Sequence, residues 1–149
     1  MNAEPTPDGP EAIRPAGVPP SAGALARAVE LFNDGSYHDA HEVLEELWLA
    51  TQGTDSDFFK GLIQACIALH HLREDNPDGA RKLYSGHRRL LAAYLPRHRG
   101  LDVEALLAEM QRVLSPVVRA RPGAQGRFDP DNRPRMELLG EDPQPDDAS

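Results

Sequence analysis

One imidazole and three carboxylates stand within six residues in the stretch AHEVLEELW, Ala40 to Trp48. On a helix, positions three and four apart share a face. His41 and Glu45 are then neighbours one turn apart, as are His38 and Glu42, and Glu42 and Glu46. Such residues have three chemical uses. A His–Glu pair can chelate a divalent transition metal such as zinc, iron or manganese. A buried carboxylate beside an imidazole can move protons. A hydrogen-bonded polar network can simply hold helices in register.

The spacing argues against two familiar metal patterns. The zinc-protease helix needs a second His where Glu45 stands. The carboxylate-bridged di-iron pattern needs Glu-x-x-His, and Glu42-x-x-Glu45 supplies none. No Ser, Cys or Lys stands where it would serve as a nucleophile. The structural use is preferred, with room for a small-molecule or peptide site at its mouth.

The partners of this stretch are read from a second helix. Gly61, Gln64, Ala68 and His71 fall on one line, and the small residues invite close approach of a neighbour. The expected cluster is His41, Glu42, Glu45, Gln64 and His71 between the second and third helices. Trp48 packs beside it and spends its indole N–H on the same network. His70 and His71 are adjacent and so point to different faces.

Five helices and no strand are expected to position these groups. The first spans about Ser21 to Asn33 and stops at Gly35, with Ser36 capping the second, Tyr37 to Ala50. Asp55 or Ser56 caps the third, Asp57 to Arg73, which is apolar nearly all round and therefore central. The fourth starts at Pro77 and ends near Leu95, and the fifth runs from Val103 to Leu114 ahead of Pro116. The fold class is a compact all-α bundle with a central antiparallel pair, helices two and three. The bundle is placed at 21–117. A disordered Pro-rich tail precedes it over 1–20, and an extended tail follows over 118–149, part of it docked on the bundle.

The 149-residue chain has a formal net charge of −8, unevenly spread. Residues 1–79 hold 4 basic and 14 acidic side chains, whereas residues 80–135 hold 12 basic and 5 acidic. Opposed halves favour pairing either within the chain or between copies, the latter in a homo-oligomer. Arg81, Lys82, Arg88 and Arg89 place positive charge along the fourth helix, continued by His87, Arg97, His98 and Arg99. Such a stripe is ordinarily a solvated face. RNA or phosphate binding is the alternative, and the absence of interleaved aromatics and of any nucleic-acid motif weighs against it. The single cysteine, Cys66, reads as a small buried hydrophobe. Neither a secretory signal nor a membrane-spanning run is seen, and a cytoplasmic protein is expected.

Taken together, LFNDGSYHDAHEVLEELW, FFKGLIQACIALHHL and DNPDGARKLY resemble the domain-of-unknown-function family 309, small helical proteins of bacteria, archaea and plastids. The likeness covers about residues 25–95. It is carried by Gly35, Tyr37, Ala40-His41-Glu42, Glu45, Trp48, Gly61 to Gln64, a His near 70, Asn76 and Gly79-Ala80. It implies an all-α bundle and no particular activity. The sequence reading is thus a non-catalytic binding or adaptor module for a protein or small-molecule partner. Its rival is a metal-dependent, hydrolase-like enzyme with His41 and Glu45 as ligands.

Overall fold

A computed structural model describes residues 20–51, 53–119 and 128–139. Five α-helices follow in order: α1 (Pro20–Asn33), α2 (Tyr37–Ala50), α3 (Ser56–Arg73), α4 (Pro77–Leu91) and α5 (Val103–Arg119). Between α4 and α5 lies a small antiparallel ribbon of β1 (Arg97–His98) and β2 (Leu101–Asp102). Residues 1–19 of the expected N-terminal tail lie outside the described residues, as do residues 120–127 and 140–149 of the C-terminal one.

Turn chemistry sets the helix ends. At the end of α1 the Ser36 N–H donates to Leu31 C=O (2.8 Å) and the Gly35 N–H to Phe32 C=O (3.0 Å). This closure needs a residue at positive φ, and Gly35 supplies it at +84°. α3 ends identically, Asn76 N–H to His71 C=O (2.8 Å) and Asp75 N–H to Leu72 C=O (3.1 Å). Here Asp75 takes the positive φ, +63°, a conformation that Asp tolerates better than most residues. The Asn76 carboxamide then caps α4 by accepting the Gly79 N–H, and Asp102 caps α5 by accepting the Ala105 N–H. Asp55, expected to cap α3, makes no capping bond. His98 (2.8 Å) and Arg99 (2.5 Å) occupy its carboxylate and tie the start of α3 to the ribbon. Burial works to raise the Asp55 pKa, but these two hydrogen bonds outweigh it and hold the carboxyl below its usual range.

The helix that is apolar nearly all round takes the centre. α3 packs on α2 along one side and α4 along the other, with α1 against α2 and α5 against α4. Phe32, Tyr37, Phe58, Phe59, Leu62, Leu69, Leu106 and Met110 are fully buried between them. The α3–α4 seam is the close one. A Cβ on Gly61 would stand 2.8 Å from the Leu91 side chain, and one on Gly86 would collide with the Gln64 carboxamide. The line of small residues on α3 therefore faces α4, not α2 as expected. α4 brings a glycine of its own to the crossing, which permits a closer approach than Leu44 and Leu47 of α2 would.

Three further departures have local causes. α4 stops at Leu91, and a 3₁₀ turn over Ala92–Tyr94 leads to Pro96; the residue before a proline avoids the helical conformation. α5 does not stop at Leu114 but continues through Pro116 to Arg119. The exposed Pro116 forfeits one helix bond, and Val117, 4% exposed, regains that free energy by burial. The ribbon was not expected at all. Arg99 and Gly100 turn it with φ of +52° and +80°, the two positive values of a type I′ hairpin turn, which usually announces itself as Asn-Gly or Asp-Gly.

Residues 128–139 form a strap across the helix ends. Asn33 grips it twice, its Nδ2–H donating to Met136 C=O (3.0 Å) and its Oδ1 accepting the Met136 N–H (2.8 Å). Met136 is buried. Beyond it, Leu138 bridges to Leu101, and the Leu139 N–H donates to Gly100 C=O (2.6 Å).

Candidate functional site

α2 presents two His–Glu pairs, as helical spacing requires. His38 and Glu42 approach to 3.3 Å, with both side chains largely in solvent. His41 and Glu45 approach to 3.9 Å, with His41 24% and Glu45 49% exposed. The rest of the expected cluster is not assembled here. Trp48 turns its indole N–H to Ser56 Oγ (3.0 Å) and so pins the end of α2 to the start of α3. Gln64 packs on Gly86 of α4, its Oε1 buried without a hydrogen-bond partner among the described residues. His71 lies at the α3–α4 turn beside Gly79, where its Nδ1 accepts from Asn76 Nδ2 (3.1 Å).

The imidazole that faces α2 is His70, one residue away and about 100° round the helix. Its ring lies 6.4 Å from that of His38, which lies 6.0 Å from that of His41. These three rings, with Tyr37, Cys66 and Ile67, line a cleft of about 170 Å³ between α2 and α3. Its walls are almost wholly carbon and sulfur apart from the imidazoles. The His70 Nδ1 is buried without a hydrogen-bond partner among the described residues. Sequence reasoning missed His70 because an all-round apolar helix gives no orientation. The adjacent histidines offered two choices, and the small-residue line selected the wrong one.

Neither hydroxyl nor thiol in this cleft is activated. Burial pushes the Cys66 thiol up, far from the thiolate. Burial likewise raises Tyr37 to about 12 against the opposing pull of Arg133 and Arg73. Each His–Glu pair, His38 with Glu42 and His41 with Glu45, sets two groups within reach of one ion. Among the described residues no three His, Cys, Asp or Glu side chains are placed to hold a metal.

The basic stripe of α4 is broken up. His87 leaves it altogether: fully buried in the α3–α4 seam, its Nδ1–H donates to Gly61 C=O (3.1 Å). Burial lowers its pKa to about 4, the Gly61 carbonyl resisting and Arg88 assisting. Arg81 pairs with Asp78 (2.6 Å). Arg88 lies over the Tyr84 ring and reaches Tyr84 Oη and Leu107 C=O, each at 3.4 Å. Lys82 and Arg89 remain exposed.

These features define an all-helical domain with a histidine-rimmed cleft beside its central helix. Among the described residues no helix is long and apolar enough to cross a membrane. Residues 25–83 match the model of a family described as a domain of unknown function, DUF309. An uncharacterized protein of Aquifex aeolicus (strain VF5) is 30% identical over 99 residues, covering 66% of this chain and 30% of that protein. The uncharacterized protein YpuF of Bacillus subtilis (strain 168) is 35% identical over 95 residues, covering 60% of this chain and 53% of YpuF. The chain thus spans about half or less of the curated relatives it matches.

Proposed function

We propose that the protein is a cytoplasmic, non-catalytic binding module that receives a partner protein at the α2–α3 cleft. The observation that carries this reading is the cleft itself. A floor of Tyr37, Cys66 and Ile67 can take one apolar side chain of a partner peptide. The imidazoles of His38, His41 and His70 rim it and can bond the adjoining backbone. The held protonation of Cys66 and Tyr37 supports binding over catalysis. Selection of displayed peptides against the full chain tests it. A consensus with one apolar anchor is expected, shifting the amide signals of His38, His41, Ile67 and His70, and lost in Ile67→Asp at unchanged helicity. Selected peptides that perturb another face, or no selection at all, would remove this site from consideration.

The 3.9 Å approach of His41 to Glu45 favours one second reading, a metal-dependent hydrolase. It requires about one equivalent of transition metal in the purified chain, lost in both His41→Ala and Glu45→Ala.

A further inference from the structure

A second cleft, of about 430 Å³, opens where the strap meets the α1–α2 turn and the end of α3. Its volume falls within the range of small-molecule sites. Two arginines line it, Arg73 from α3 and Arg133 from the strap. Arg73 is held in place by carbon and one carbonyl. Its guanidinium lies 4.9 Å from the Tyr37 ring centre and 5.7 Å from that of Phe128, and NH1 donates to Gly35 C=O (2.7 Å). Arg133 lies along Gly35, where an added Cβ would stand 3.3 Å from its Cδ, and NH2 donates to Asn33 C=O (3.3 Å). A guanidinium carries five N–H donors. Each of these two spends one on a backbone carbonyl, and the Nε–H of Arg133 is buried with no acceptor among the described residues. Among the described residues neither arginine is ion-paired, although the chain has an excess of carboxylates.

We propose that this cleft binds the oxyanion of a small molecule, a carboxylate or phosphoryl group, through Arg73 and Arg133. Pre-oriented guanidiniums with spare parallel donors are the fork that planar oxyanions fit. Phe128 and Pro130 supply an apolar wall for the rest of the ligand. Asp34 and Asp75 line the same cleft from exposed positions and offset the two positive charges. The directed donors then act in a positive field that the two carboxylates weaken. It follows that removing either aspartate's charge strengthens binding, which no purely structural role of the arginines would produce.

The test is titration of the full chain with inorganic phosphate and, separately, with succinate, followed through the arginine Nε–Hε signals. A saturable shift of the Arg133 signal is expected with at least one of them. Phosphate alone assigns a phosphoryl ligand, succinate alone a carboxylate, and both the shared oxyanion chemistry. Arg73→Met and Arg133→Met should each weaken binding at least tenfold. Asp75→Asn, which Asn accommodates at the same positive φ, should tighten it several-fold while leaving the fold untouched. No saturable shift with either anion overturns the proposal. So does binding that survives both arginine variants or that is indifferent to Asp75→Asn.

Discussion

His87 makes folding stability depend on pH over a window that no described carboxylate with a shifted pKa covers. Its imidazole is wholly buried, and its pKa drops from 6.5 to about 4. The unfolded chain therefore takes up a proton on this residue below pH 6.5, while the folded chain refuses it until about pH 4. Stability from this group is complete above pH 6.5, falls as the pH is lowered, and is fully lost below about 4. A shift of roughly two and a half units corresponds to roughly 3 kcal/mol, of which ~2 kcal/mol disappears between pH 7 and pH 5. That is a large share of the 5–15 kcal/mol typical of a domain. Asp55 and Glu109, whose pKa values are lowered from 3.8 and 4.5, act at lower pH. Urea unfolding at pH 7, 6 and 5 measures the slope, and His87→Gln isolates it, since Gln keeps an N–H for Gly61 C=O and cannot titrate. The other histidines are common to both proteins and cancel. An equal pH dependence in wild type and His87→Gln, or a His87 ring that titrates at or above 6.5 by NMR, would refute the reasoning.

Three more outcomes are expected. Gly86→Ala drives a methyl into the Gln64 carboxamide and should cost about 1–3 kcal/mol by overpacking, most of it recovered in the Gly86→Ala/Gln64→Ala double variant measured by thermal unfolding. Trp48→Phe and Ser56→Ala each break the indole–hydroxyl bond, worth about 1 kcal/mol, and a double-mutant cycle should return a coupling of that size if the two residues act as a pair. His41→Ala should cost under about 1 kcal/mol, because a partly exposed pair at 3.9 Å contributes little; a loss of several kcal/mol would mean that His41 belongs to a buried network after all.

Much of the fold was legible because its signals are local. Gly35, Asn76, Pro77 and Asp102 mark helix ends by their own backbone and capping chemistry, and the apolar stripes are dense. The misses came where the deciding partner is distant in sequence. Pro116 reads as a stop until the burial of Val117 is known. Arg99-Gly100 reads as part of a basic run until the hairpin is seen, and Asp55 reads as a helix cap until His98 and Arg99 arrive to claim it. The candidate site was half legible for the same reason. Helical spacing alone pairs His38 with Glu42 and His41 with Glu45. Which side of α3 faces α2 depends on Gly86, over twenty residues downstream, and so His71 was named where His70 stands.

The Asn33–Met136 clamp joins residues 103 positions apart, whereas consecutive helices meet through turns of a few residues. Closing so long a loop is entropically slow, and neighbouring helical hairpins are fast. The helices can therefore zip together first, with the strap arriving last as a latch on an already assembled body. Because Arg133 rides on that latch, one wall of the arginine cleft comes into being only at the final step of folding, and local unfastening of the strap would dismantle it without melting the helices.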